Sequence, residues 1–217
     1  MPTKKLHWNT VSPLLRSVLD ELMASDLFHL FRVAGSTSLC LQLGHRRTVA
    51  INMYTDSVYG SIDLIVLGKY LRKIYAYVEE HGPTGMGASY FIGDGAAESV
   101  KLDLFYTDPF IQPAIEIESL RLATIPDVLA MKMDKIQKGA RKKDFWDVSE
   151  LFSKYTVAEM LALHKKRYPY DHNEAILVSN FTNFATADND FEPDCLKGKH
   201  WELIKLDIIE AVSGAYI

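Results

Sequence analysis

The chain has 217 residues, of which 48% are hydrophobic and 24% charged, which is typical of one globular domain or of one domain with a smaller lobe. The formal net charge of −4 excludes a global positive field that would draw the chain onto nucleic acid or an anionic membrane. Two isolated cysteines, Cys40 and Cys195, exclude a disulfide framework or a clustered zinc site, and we expect no signal peptide, no membrane span and a cytoplasmic location.

The first half of the chain alternates between helical and strand patterns. In chain order, these patterns predict a helix over residues 12–27, a strand over 28–34, a short helix that stops at Gly44, a strand over 48–55 and a helix over 64–80. Residues 81–87 read as a loop. Two further strands, residues 89–92 and 99–106, flank a glycine-rich turn and predict a hairpin.

The second half is helical. Thr124 and Pro126 predict a helix start, and this helix stops near Gly139. A second helix begins at residue 143, and the pattern stays mostly helical from about 156 to an amphipathic helix over 201–212. The predicted fold class is α+β, a mixed sheet flanked by helices with a helical C-terminal lobe. The predicted domains are residues 1–120 and 121–217.

A strand, Gly35, Ser36 and a helix follow one another directly. Glycine allows a backbone to approach a phosphate closely, and a helix N-terminus presents unpaired N–H groups. Ser36 could then donate to a phosphate oxygen or cap the helix. A tight turn with an ordinary serine cap is the interpretation that this element alone favours.

The strand over 48–55 places residues 50 and 52 on one face, because side chains alternate along a strand. The same alternation predicts Val49, Ile51 and Met53 on the opposite face. Metal-dependent nucleotidyl transfer uses two carboxylates at such a spacing and a third from a neighbouring strand. Asp103 suits that third role, because its side chain lies on the opposite strand face from the apolar Leu102 and Leu104. The pattern equally allows Asp103 to be an ordinary strand residue that faces solvent.

The helical half contains a lysine and two aspartates that could form a site together. Lys132 lies beside the apolar stripe of its helix, and Asp144 and Asp147 share a helical face. A lysine that reaches a phosphate and an aspartate that orients it would form an anion site. An ordinary charged hairpin, with a surface pair between Lys143 and Asp147, is the interpretation that the pattern alone favours.

Basic residues also occur at two turns. His45, Arg46 and Arg47 follow the short helix and read first as a solvated helix end. The run over 138–143 is either a nucleic-acid contact or, as such runs are more often, a solvated loop.

Two sequence stretches, VAGSTSLCLQLGHRRTVAINMYTD and IPDVLAMKMDKIQKGARKKDFWDVSELF, together resemble the motifs of the AbiEii/AbiGii-type nucleotidyltransferase toxins. The resemblance covers residues 26–212. It implies a bi-lobed nucleotidyltransferase fold, a nucleoside triphosphate (NTP) substrate, Mg²⁺, a tRNA or protein acceptor and an antitoxin partner, as in bacterial toxin–antitoxin systems.

The resemblance also implies roles for individual residues. The predicted catalytic residues are Lys132 and Asp144, which the resemblance implies, and Asp103, which its strand position suggests and which is a possible metal ligand. The implied nucleotide-binding residues are Gly35, Ser36, Arg47, Asn52 and Lys132. Asp147 and Lys143 would support them.

One departure from the family pattern affects the chemistry. Where the family has Asp-x-Asp, this chain has Ala50-Ile51-Asn52, which supplies no carboxylate for Mg²⁺. Three hypotheses follow: an NTP-binding protein with impaired or lost transfer, an active transferase that regroups Asp103 with Asp56 or Asp144, and a non-catalytic interaction module.

Overall fold

The computed structural model describes residues 5–214, with side chains for all of them except residues 82–84. Residues 1–4 and 215–217 of the two predicted domains therefore lie outside the described residues. Within that range the strands form one seven-stranded mixed sheet in the order β3-β4-β5-β2-β1-β7-β6. The strands are β1 (Arg32–Val33), β2 (Ala50–Thr55), β3 (Tyr77–Thr84), β4 (Gly87–Gly95), β5 (Glu98–Tyr106), β6 (Ile115–Ile117) and β7 (Leu120–Leu122).

Strand β2 lies at the centre of the sheet, with β5 on one side and β1 on the other. β2 runs parallel to β5 and antiparallel to β1, which in turn runs parallel to β7. The pairs β3–β4, β4–β5 and β6–β7 are antiparallel. The sheet face of β2 and β5 is therefore a continuous surface on which side chains two residues apart line up.

The helices of the described residues flank the sheet and fill the C-terminal half. They are α1 (Pro13–Ala24), α2 (Gly35–Leu43), α3 (Leu64–Ile74), α4 (Ile125–Gln137), α5 (Lys142–Ser149), α6 (Val157–Arg167), α7 (Glu174–Phe181), α8 (Ala185–Asp188) and α9 (Trp201–Gly214). Local capping explains several starts, since the side chains of Ser12, Asp63, Thr124 and Thr156 each accept a backbone N–H of the first turn. No helix in residues 5–214 combines the length and apolarity that a membrane crossing needs.

Two apolar cores lie on either side of α2. The first joins α1 and α3 to the sheet and includes Leu41, and the second joins the C-terminal helices and includes Leu39. Helix α2 ends at Gly44, which has φ +65° and whose added Cβ would lie 2.5 Å from Nδ1 of His7. The end of α2 is therefore fixed where the chain turns toward β2. The predicted boundary between residues 120 and 121 falls inside β7.

The predicted mixed sheet with flanking helices and a helical C-terminal half is confirmed. The hairpin of β4 and β5 and the helices that start at Pro13, Ile125 and Trp201 also lie where the sequence predicts them.

Several local predictions are wrong. Helix α3 ends at Ile74 rather than residue 80, because the aromatic and β-branched residues after it pair with β4 as strand β3. Residues 81–87 belong to that hairpin rather than to a free loop. The strand predicted over 28–34 contracts to β1 after a 3₁₀ turn, and β6 and β7 were not predicted. Val49 precedes β2 and is 83% exposed.

Candidate functional site

Asp147 is a fully buried acceptor at the centre of a polar cluster. Arg46 donates to both of its oxygens, from Nε at 2.7 Å and from Nη2 at 2.8 Å. His45 Nε2 lies 2.8 Å from Oδ1, Lys132 Nζ lies 2.7 Å from Oδ2, and Ser36 Oγ donates at 3.0 Å. Burial alone would raise the pKa of Asp147, but Lys132 and Arg46 hold it well below its ordinary value of 3.8. The carboxylate is therefore ionised.

Lys132 ties α4 to this cluster. Its Nζ lies 2.6 Å from Oδ1 of Asp144 and donates to Ser36 Oγ at 2.8 Å, in addition to the contact with Asp147. Burial would lower the pKa of Lys132, but Asp144 and Asp147 raise it. An ammonium group has three N–H donors, so these acceptors occupy all of them. The remaining oxygen of Asp144 accepts the backbone N–H of Arg141 at 3.2 Å and anchors the start of α5.

Gly35 and Ser36 begin α2, as the sequence predicts, but the hydroxyl does not cap the helix. Ala34 is the N-cap residue, without a side-chain cap, and Ser36 Oγ is engaged with Asp147 and Lys132. Gly35 has φ +58°, and a Cβ added there would lie 3.8 Å from Nδ2 of Asn52. The first turn of α2 therefore faces the site side of β2.

The face of β2 and β5 that lines the site carries one carboxylate, Asp103, and the ammonium group of Lys101 is paired with it. Ala50 is the register partner of Lys101, and Asn52 that of Asp103. Lys101 Nζ lies 2.8 Å from Oδ1 and 2.9 Å from Oδ2 of Asp103, and Ser89 Oγ donates to Oδ1 at 2.6 Å. Both oxygens of the one acid on this face are thus already paired.

Two adjoining cavities bring the predicted residues together. The larger, of about 1140 Å³, is lined by residues that include Ser36, Arg47, Asn52, Asp103 and Lys143. The smaller, of about 440 Å³, is lined by residues that include Gly35, Ser36, Asn52, Tyr54, Lys132, Lys143 and Asp144. Among the predicted site residues, only Asp147 lies beneath this cleft rather than on its wall.

Lys143 faces both cavities and is half-buried. No carboxylate of the described part of the chain lies within ion-pair distance of its ammonium group, whereas Arg47 pairs with Asp194 at 2.8 Å. The predicted surface pair of Lys143 with Asp147 is therefore absent. Burial, together with the nearby Lys132 and other cations, lowers the pKa of Lys143 against an opposing effect of Asp144. A half-buried cation in this position favours an anionic ligand.

A second cluster has the spacing of a metal site but not its chemistry. Suitable atoms of Cys40, His45 and Asp147 lie within 4.8 Å of one another. Burial raises the pKa of the Cys40 thiol to about 12, and the oxygens of Asp147 are taken by Arg46 and Lys132. Cys40 and Asp147 could bind a metal only as a thiolate and an available carboxylate, so this cluster is a polar core.

The structure corrects the interpretation of the basic residues. His45 and Arg46 are 0% and 4% exposed and are part of the buried cluster, not a solvated helix end. In the run over 138–143, Lys138 pairs with Asp134 and Arg141 with Asp190, so this run is not a uniformly solvated loop.

Lys101 is a site cation that the sequence analysis missed. Its spacing of two from Asp103 places both side chains on one strand face, and this spacing was the available signal.

Comparisons with known proteins identify the fold and the family of this chain. No significant match is found among curated protein sequences. JHP933 from Helicobacter pylori has a similar fold, with a TM-score of 0.58 at 18% identity over 95% of this chain and 90% of that one. MenT4, the nucleotidyltransferase toxin Rv2826c from Mycobacterium tuberculosis H37Rv, gives a TM-score of 0.58 at 13% identity over 92% and 82% of the chains.

These identities establish the fold alone. The family described as nucleotidyl transferase AbiEii toxin, type IV toxin–antitoxin system, matches residues 17–213, which is most of the sequence. The chain, with its nucleotidyltransferase fold, therefore belongs to the AbiEii nucleotidyl transferase toxin family.

Proposed function

We propose that this chain binds a nucleoside triphosphate in the cleft above Ser36 and that it has lost metal-dependent nucleotidyl transfer. One observation carries the second half of the proposal. On the face where the family pattern places acids, Ala50 and Asn52 supply no carboxylate, and the remaining Asp103 is paired with Lys101.

The residues present do not fit a resident Mg²⁺. Mg²⁺ in phosphoryl-transfer sites is held by carboxylates together with substrate phosphates. Here Asp103 is neutralised by Lys101 and also accepts from Ser89. Without a metal, the charge that develops in transfer has no strong stabilising group at this face.

The proposal of nucleotide binding rests on the cleft and its charge. The smaller cavity has a volume in the range typical of small-molecule sites. Lys143 lies where the two cavities meet and offers an ammonium group without a carboxylate partner in the described residues. Tyr54 adds an aromatic wall for a base or a sugar.

The regrouped active site of the second hypothesis finds less support. Asp56 accepts the backbone N–H of Phe110 at 3.2 Å, lies 3.6 Å from Arg32 and lines a third cavity rather than either of the two described above. Asp144 is held by Lys132 and by the start of α5. Neither carboxylate is available to join Asp103 in this arrangement.

Partners are proposed from the family. An antitoxin protein is the expected binding partner, and tRNA or protein is the acceptor that an active relative would use. The third hypothesis, an interaction module, differs in predicting a stable protein complex and no nucleotide affinity.

Two measurements on the purified full chain test the proposed function. Calorimetric titration with each of the four common NTPs should show binding, while incubation with labelled NTPs and cellular RNA or protein should show no label transfer. Mg²⁺-dependent transfer that disappears in Asp144→Asn would establish the active transferase. Absence of affinity for every NTP, with and without Mg²⁺, would favour the interaction module.

A further inference from the structure

We infer that the ammonium groups of Lys101 and Lys143 take the place of a divalent cation at this site, so that the cleft binds a phosphate chain in its metal-free form. The inference rests on the proposed NTP binding and specifies how the triphosphate is held. It concerns two residues to which the family pattern assigned no phosphate contact here.

The position of Lys101 is the first step. Lys101 is the register partner of Ala50 in the parallel pairing of β2 with β5, so both side chains lie on the site face at the same level. A methyl group replaces the family acid there, and the neighbouring lysine places its Nζ within 2.9 Å of both oxygens of Asp103. An ammonium group thus sits on the one acid that a cation would otherwise bind.

The charge of this face is the second step. A divalent cation approaching Asp103 would meet the positive charge of Lys101, and no second carboxylate on β2 offsets that repulsion. A phosphate oxygen approaching the same place would meet an ammonium group instead. Lys101 is 42% exposed and lines the larger cavity, so its remaining N–H donor can reach a ligand.

Lys143 is the third step. It lines the same cavity as Lys101 and also the smaller cavity beside Lys132. Within residues 5–214 no carboxylate pairs with it, and its surroundings are rich in cations. Chelation of Mg²⁺ cancels part of the negative charge of a triphosphate, so the unpaired ammonium group of Lys143 and the exposed N–H donor of Lys101 favour the free anion over its metal complex.

Titration of the full chain with ATP, in EDTA and then in excess Mg²⁺, tests the inference. We expect binding in EDTA, with equal or weaker affinity in Mg²⁺. Lys101→Gln and Lys143→Gln should each weaken metal-free binding by about tenfold or more, the effect of losing one charge-assisted hydrogen bond. Lys154→Gln, at an exposed lysine that lines neither cavity, is the matched control and should bind as the parent does.

Lys101→Gln gives a second readout that a structural role would not produce. Removal of the ammonium group frees Asp103, so Mg²⁺ should improve ATP binding by this variant although it does not improve binding by the parent. Melting temperatures of all variants should stay close to that of the parent. Lys101 is 42% exposed in its ion pair, and Lys143 pairs with no carboxylate of the described residues, so neither substitution breaks a fully buried ion pair.

The outcomes separate the two proposals. Binding by the parent only when Mg²⁺ is present, or unchanged affinity in both cleft variants, would overturn the inference and leave NTP binding standing. Failure to bind ATP or any other NTP under either condition would contradict the proposed function itself and the inference with it.

Discussion

Arg46 donates from two nitrogens to the two oxygens of Asp147, and this paired contact joins the segment after α2 to helix α5. Side chains of both residues are almost wholly shielded from solvent. Planar bidentate pairs of this kind are among the stronger polar contacts in proteins. The cluster around Asp147 therefore holds the floor of the cleft in place.

The substitution Asp147→Asn should destabilise the fold. It leaves Arg46 and Lys132 buried without their main counter-charge, and loss of one partner of a buried pair costs about 3–5 kcal/mol. Chemical denaturation measures the free energy of unfolding. Asp20→Asn, at an exposed acid 3.8 Å from Arg16, is the control and should change it by less than about 0.5 kcal/mol. Equal losses in both variants would contradict this role.

Stability should also fall in acid. The folded-state pKa of Asp147 is held well below the ordinary value of 3.8, so the unfolded chain takes up protons first as the pH drops. The stabilising contribution of Asp147 is therefore fully present at a pH above the ordinary pKa of 3.8, and it is lost as the pH falls toward the folded-state pKa. Denaturation midpoints measured from neutral pH down to about pH 3 should decline at the acid end, and a flat profile would refute the buried ion pairing.

The conformation of Gly35 predicts a backbone effect. With φ +58°, a left-handed residue other than glycine costs about 1–2 kcal/mol, although a Cβ would meet only ordinary contacts, the nearest at 3.8 Å. Gly35→Ala should lower the free energy of unfolding by that amount. Gly95→Ala, at a glycine with open space around its Cβ position, is the comparison variant. A neutral Gly35→Ala would show that α2 starts in another conformation.

The cysteines should differ in reactivity. Burial raises the pKa of Cys40 to about 12, and its side chain is inaccessible, whereas Cys195 is partly exposed. Alkylation of the native chain at mildly alkaline pH, followed by mass spectrometry, should label Cys195 first. Both cysteines should react after denaturation. Rapid native labelling of Cys40 would show that the core between α2 and α5 opens easily.

Metal binding should be recoverable by design. Ala50→Asp and Asn52→Asp together restore the family acids, and Lys101→Ala removes the competing ammonium group. We expect this triple variant to bind Mn²⁺, measured by electron paramagnetic resonance, more tightly than the double variant that keeps Lys101. Equal Mn²⁺ affinity in the two variants would mean that Lys101 does not compete for the site.

Much of the site could be predicted because its residues sit at fixed spacings. Gly35 and Ser36 follow from the order strand, glycine, serine, helix together with the family resemblance, whereas Asn52 and Asp103 follow from strand alternation. The structure places all four on one cleft. The hydrogen bonds of Ser36 could not be predicted in this way, since its partner Asp147 lies 111 residues away.

Strand β3 shows what local sequence patterns cannot predict. Its residues continue the helical pattern of α3 locally, and only pairing with β4 decides their conformation. The burial of Arg46 likewise depends on α5, which approaches from the other half of the chain. Neither contact can be predicted from local periodicity, because each depends on residues distant in the sequence.

Lys101 is covalently attached to strand β5, which distinguishes it from any bound ion. A magnesium ion dissociates, exchanges with the cellular pool and can be stripped by a chelator. An ammonium group on a strand does none of these, so occupancy of the cleft by the nucleotide should not fall when the cell is starved of divalent metal.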